Sequence, residues 1–243
     1  MPSWLRHSRL LTLFLQIPCP LCQRPASQEF CPTCQRYLRQ QQIAHPEKFW
    51  ASQAVFAWGH YGGNLSAAIA ALKYTNAPYL ARPLGQWLAQ AWLTARLEPA
   101  PYIIVPIPMH ADKQQQRGYN QAELLARSFC QFTGDRLCSQ GLARTRATEA
   151  QFNLPAAQRE QNLHQAFQVG ADFVRRPPRQ PVLLLDDIYT TGATARAAMQ
   201  TLRHQGIAVR GLITIAKAEL RQTARHVPPS PPVRSPTGGQ QQD

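Results

Sequence analysis

VLLLDDIYTTGAT, residues 182–194, decides how the rest of the chain is read. Four apolar residues run into two adjacent acids, Asp186 and Asp187. A threonine-rich loop follows with Gly192 at its turn, and from Ala193 the pattern is helical, ARAAMQTLRHQG. The order is buried strand, acidic end, tight loop, helix N-terminus. In an open α/β sheet that junction holds phosphorylated ligands, because the first N–H groups of the helix lack partners and its dipole favours negative charge. Carboxylates there accept hydrogen bonds from neighbouring sugar hydroxyls. The hydroxyls of Thr190, Thr191 and Thr194, with the backbone N–H groups of this loop, surround a phosphate. Gly192 lets the backbone approach without a Cβ in the way. A sugar 5-phosphate would be held at both ends. No GK[ST] sequence follows, which excludes a Walker loop. A solvated strand end or a helix cap is the plain structural reading of the two acids. A Mg2+ ion could take them as direct ligands or, as we prefer, bridge substrate oxygens.

Upstream, YIIVPIP (102–108) begins as a strand dense in β-branched residues, and Pro106 and Pro108 mark its C-terminal end. The stretch HADKQQQRGYN reads as a polar loop, and a helix opens near Asn120 or Gln121 with Leu124, Leu125 and Phe129 on one face. AVFAWGHY (54–61) reads as a strand. Gly62 and Gly63 then turn the chain, Asn64 caps a helix, LSAAIAALKY, and a longer helix runs from about Tyr79 to Leu97. Residues 134–161 are the least regular part, a plausible loop over a site. Residues 175–179 form a basic, proline-rich connector, and a last strand lies within 206–218. Strands alternate with helices from 54 to 218, which predicts a parallel α/β sheet with helices on both faces. The loops after Pro106 and Asp186 then share one C-terminal edge.

Residues 19–34, CPLCQRPASQEFCPTC, carry Cys19, Cys22, Cys31 and Cys34 as two C-x2-C knuckles eight residues apart. Two knuckles suit a tetrahedral Zn2+ site of four thiolates, closed to catalysis and structural in role. A disulfide pair fits a reducing compartment badly, and a redox C-x2-C is the other alternative. The domain plan is therefore a short N-terminal helix (1–18), a zinc-ribbon-like module (19–45), the α/β domain (50–220) and a tail (221–243) with the composition of disorder. The apolar run 10–17 lacks a signal-peptide cleavage pattern, and no run approaches the roughly 20 residues of a membrane span. The expected location is cytoplasmic. Twenty-six Lys and Arg against 13 Asp and Glu give +13, which favours polyanionic partners, either phosphorylated small molecules or nucleic acid.

VLLLDDIYTTGAT resembles the phosphoribosyl pyrophosphate motif of type I phosphoribosyltransferases. The cysteine knuckles, LKYTNAP (72–78), VPIPMH…RGYNQAELLA (105–126) and RTRATEAQ…QREQNLHQAF (144–167) sharpen this to the competence protein F, or GntX-like, family. Where such sequences usually carry an arginine before RGYNQ, this chain has Lys113. The resemblance implies a type I phosphoribosyltransferase-like sheet, phosphoribosyl pyrophosphate as ligand and Mg2+ arriving with it. Asp186 and Asp187 would bind ribose hydroxyls and Thr190 to Thr194 the 5-phosphate. The loop carrying Pro108 would face the pyrophosphate. Arg144 and Arg146 would belong to the mobile catalytic loop. Arg117 and Asn120, which open the RGYNQ helix, become candidate anion contacts, and Lys73 either reaches the pyrophosphate or snorkels outward. The implied activity is pentosyl transfer in competence or nucleotide metabolism. The alternative is a non-catalytic accessory protein that binds this ligand and single-stranded DNA beside a DNA-uptake helicase.

Overall fold

The structure, a computed structural model, describes residues 17–95, 97, 101–145 and 166–219. Its centre is a five-stranded, all-parallel sheet built from β3 (Val55–His60), β4 (Ile103–Pro106), β5 (Arg136–Leu137), β8 (Val182–Tyr189) and β9 (Val209–Lys217), in the order β3-β9-β8-β4-β5. Two short antiparallel pairs stand outside it: β1 (Ile17–Pro18) with β2 (Pro25–Ala26), and β6 (Leu142–Arg144) with β7 (Phe167–Val169). The expected parallel sheet flanked by helices is present.

Side chains alternate across a strand, so β8 serves two cores. Leu183 and Leu185 join the apolar layer formed by α3 (Gly63–Tyr74), α4 (Ala81–Ala95) and α6 (Gln121–Thr133). Val182 and Leu184 join the opposite layer, with α7 (Ala171–Arg175), α8 (Ala193–His204) and the β6–β7 pair. Both faces of β8 are covered, which is why it reads as an unbroken apolar run. The chain leaves β4 toward β5 and leaves β8 toward β9, in opposite directions along the sheet. Between β4 and β8 lies the topological switch point, where α/β sheets open a crevice.

Several boundaries differ from the sequence reading. Asn64 does not cap α3: the helix starts at Gly63 behind Gly62, which makes no side-chain cap bond. The long helix opens as a 3-10 turn, Pro78–Leu80, and its α part ends at Ala95. The polar stretch 109–120 contains a short helix, α5 (Ala111–Arg117), capped by the His110 side chain and stopped by Gly118 in a left-handed conformation. Polar composition hid it, because an exposed helix of two turns has no apolar face to show. Arg136–Leu137 supplies the fifth strand, too short to leave a pattern.

The cysteine segment is fused to the domain. After it come α1 (Pro32–Arg39) and α2 (Glu47–Gln53). Phe30 stacks on Trp87, which stacks on Trp58, with centroids 5.9 and 5.6 Å apart. Residues 41–43 cover the free edge of β3, with Ile43 N–H donating to Trp58 O (2.9 Å) and His60 N–H to Gln41 O (2.9 Å). Cys130 and Cys138 are both buried. Among the described residues no helix is long and apolar enough to cross a membrane.

Candidate functional site

Period-two alternation decides where the two acids of β8 go. Asp187 shares the parity of Leu183 and Leu185 and faces the α3 layer. Asp186 follows Leu184 toward the other layer. On the first side Lys73, in the last turn of α3, meets Asp187 with Nζ 2.6 Å from Oδ2. That pair is largely out of water, with side chains 17% and 6% exposed. On the second side lies Arg144, at the end of β6, close enough for Asp186 to support its charge while burial lowers its pKa. Its guanidinium also sits 5.4 Å over the Phe167 ring. The sequence shows two neighbouring acids; the fold sends each toward a different base.

Asp186 carries the electrostatic strain of the site. Burial, and then the charge of Asp187, push its carboxyl well above the usual carboxylate range. The Asp187 N–H donating to Asp186 Oδ1 (2.8 Å) and the Lys73 charge pull the other way and lose. Groups held in such a state in a crevice mark functional sites, because a ligand that donates hydrogen bonds relieves them.

The loop 190–192 then climbs to α8. Gly192 is its N-cap at φ +76°, a left-handed conformation that favours glycine, and a Cβ there would run into the Tyr189 hydroxyl. Gly192 has no side chain with which to cap this helix. The Ala193 N–H faces the Thr191 hydroxyl at 3.4 Å, and Arg196 donates to Thr191 O at 2.8 Å, holding the loop closed on itself. Thr190 and Thr191 are exposed, and Ala193 and Thr194 are half-buried. Exposed hydroxyls beside a helix start could cradle an anion.

Across the switch point, Ile107 N–H donates to Leu185 O (2.8 Å), which ties the loop after β4 to β8 and places half-buried Pro108 beside the acids' strand. Asn120 is committed inside the fold: its Oδ1 caps α6 by accepting from the Ala122 N–H, and its Nδ2 donates to Ile107 O at 3.0 Å. It therefore braces that loop. Arg117 donates to Gln121 and lies 5.4 Å over the exposed Tyr74 ring. With Lys73, Lys113, Asn76 and Tyr119 it lines a basic recess of about 690 Å³ between α3 and α5. Lys113 and Tyr74 were not singled out as ligand contacts; two basic residues four apart on one short helix, Lys113 and Arg117, were the available signal. Arg146 lies outside the described residues.

The four cysteines converge as their spacing predicts. Their Sγ atoms all lie within 4.8 Å of one another, and Cys22 and Cys31 are 3.6 Å apart. Thiolates on one tetrahedral zinc stand about 3.8 Å apart, given a Zn–S bond near 2.3 Å. Cys34 N–H points at Cys31 Sγ (3.5 Å), and Gln23 takes a left-handed turn (φ 61°) after Cys22. Each knuckle thus turns its backbone toward sulfur, and none of the four cysteines is in a disulfide. The cluster could hold a zinc ion. The two β8 acids supply too few oxygens for Mg2+ alone, so an ion there would complete its shell from a ligand's oxygens.

The chain is similar to known proteins. The DNA utilization protein YhgH of Salmonella typhi is 32% identical over 195 residues, 78% of this chain and 79% of that protein. Competence protein F of Haemophilus influenzae is 32% identical over 164 residues, 66% of this chain and 70% of that protein. The chain belongs to the competence protein F family. No family model matches it. Among solved structures, adenine phosphoribosyltransferase from Leishmania donovani is similar over 60% of this chain and 56% of that one, at 15% identity and a TM-score of 0.37.

Breaking the Lys73–Asp187 pair tests how the acids are held. Lys73→Met should lower stability by about 3 kcal/mol, the scale for stranding one charge of a buried pair. Adding Asp187→Asn should recover much of that loss. Urea unfolding of the two single variants and the double variant measures the coupling, and additive losses would contradict it.

Proposed function

We propose that this competence protein F relative binds phosphoribosyl pyrophosphate with Mg2+ at the C-terminal ends of β4 and β8. The observation that carries this reading is one junction: half-buried Asp186, its carboxyl held above the usual range, and buried Asp187 lead through Thr190 and Thr191 into a helix whose N-cap is glycine. Ribose hydroxyls would donate to Asp186 and to the buried Asp187 Oδ2, which, its Lys73 ion pair aside, has no hydrogen-bond partner among the described residues. The 5-phosphate would lie on Thr190 to Thr194. The pyrophosphate would lie toward Pro108, with Lys73 and Arg117 as its nearest bases. Bound Mg2+ would draw charge from the departing pyrophosphate. Arg144, already beside Asp186, is placed to steady the same charge, so the chemistry the site suits is transfer of a phosphoribosyl group. Zn2+ on Cys19, Cys22, Cys31 and Cys34 would be structural. The relatives' names support a role in DNA uptake or use.

Pyrophosphate release from phosphoribosyl pyrophosphate and Mg2+, scanned over nucleobases and amines, tests the enzyme. Turnover that disappears in Asp186→Asn/Asp187→Asn supports it. Binding without turnover under any acceptor sinks the catalytic part and leaves a ligand-sensing protein. That second reading has its own support. Exposed Tyr74 under Arg117, beside Lys113, offers a stacking face within a basic recess, as single-stranded DNA requires. Single-stranded DNA affinity that falls steeply with salt favours it, and absence of binding at low salt removes it.

A further inference from the structure

The basic, proline-rich connector 175–179 takes no part in the site above. It follows α7 and leads into β8 from the opposite, N-terminal edge of the sheet. There it walls a cleft of about 300 Å³ whose lining includes Arg136, Arg176, Arg179, Gln180, Asp172 and Ile103. Three observations make this cleft electropositive. Arg136, Arg176 and Arg179 are exposed, and among the described residues none of the three forms a salt bridge. The one acid in the wall, Asp172, is turned inward: its Oδ2 accepts from Cys138 Sγ (3.2 Å) and from the Gln140 N–H (3.2 Å). Pro177 and Pro178 separate the last two arginines with two fixed backbone torsions, so little backbone freedom is lost when Arg176 and Arg179 close on a ligand.

We propose that this cleft is a second anion site, which takes the phosphate group of a small phosphorylated molecule. Guanidinium forks match the oxygen geometry of phosphate in bidentate fashion, and three of them around one cleft suit a dianion or a diphosphate better than a lone carboxylate. A volume near 300 Å³ is at the lower end for small-ligand pockets and admits a pyrophosphate or the phosphate end of a nucleotide. β4 runs from Ile103 in this cleft to Pro106 at the other edge, about 10 Å for three residue steps. The two sites thus lie at opposite ends of the same strand, and the second stands or falls independently of the first.

Calorimetric titration of the full chain with pyrophosphate and, separately, with AMP tests the site. The comparison is with Arg176→Ser/Arg179→Ser, whose exposed positions leave both cores untouched, and with Arg136→Ser. The expected result is at least a tenfold weaker, or missing, class of sites in the variants, with binding at the β8 acids unchanged. Loss for pyrophosphate alone identifies a free inorganic anion as occupant, and loss for both identifies a phosphate group on any small carrier. Identical isotherms for variant and parent chains overturn the proposal. So does a loss confined to single-stranded DNA affinity, which would make this edge a nucleic-acid contact instead.

Discussion

Cys31→Ser/Cys34→Ser is expected to leave a chain without bound zinc and with a markedly lower melting temperature. Zinc on four thiolates contributes about 10–16 kcal/mol to small modules at neutral pH. Here the cost reaches beyond the knuckles. Phe30 directly precedes Cys31, Leu38 lies on the helix that begins after it, and both belong to the core under α3 and α4. Releasing two such side chains costs about 3–6 kcal/mol. For a domain of this size that is a fall on the order of 10 °C. Elemental analysis should find one zinc per parent chain and none in the variant, with thermal unfolding and proteolysis following the consequence. A parent chain that carries no zinc, or a variant that loses zinc and melts unchanged, would sink the structural role.

Asp186→Asn is expected to move stability and ligand binding in opposite directions. In the free protein the raised pKa of Asp186 means that folding favours its neutral form. The sign follows by linkage: this contribution is full below the ordinary aspartate pKa and is lost as pH rises through the raised folded value. Above that pH the ionised carboxylate is a burden, and the uncharged amide removes it. The variant should therefore melt higher than the parent at pH 8, and the difference should shrink toward pH 4. Phosphoribosyl pyrophosphate binding should weaken at the same time. One charge-assisted hydrogen bond is worth about 1.5–3 kcal/mol, so losing that of Asp186 amounts to roughly 10–10²-fold in affinity. Melting curves against pH, paired with titration of the ligand, read both effects. A variant that is less stable at pH 8, or that keeps the parent affinity, contradicts this account.

The strand, acid pair, loop and helix of residues 182–204 were legible because each step has a local cause: an apolar run, two acids, a glycine turn and helical spacing. The cysteine knuckles were legible for the same reason, since their ligands are near neighbours in sequence. What the sequence hid is relational. Nothing local says that Lys73 meets Asp187 more than a hundred residues away, or that Asn120 is spent bracing Ile107. Alternation along β8 does divide the two acids between faces, but which base waits on each face depends on how α3 and β6 pack. Asn64 looked like a cap because a polar residue follows two glycines, yet the backbone begins the helix at Gly63. β5 escaped notice because two residues are too few for a period.

The sheet order sets a timetable for making the molecule. Among the described strands β3 comes early and β9 last, yet they are neighbours, and β9 separates β3 from β8. Until residue 217 has left the ribosome, β3 has only the segment 41–43 along one edge. Pairing across so many residues is slow, because the connecting chain must be closed before any contact rewards it. The nascent chain thus carries an open strand edge through much of its synthesis, and a message cut short before β9 would yield a sticky fragment with β3 unpaired to the rest of the sheet.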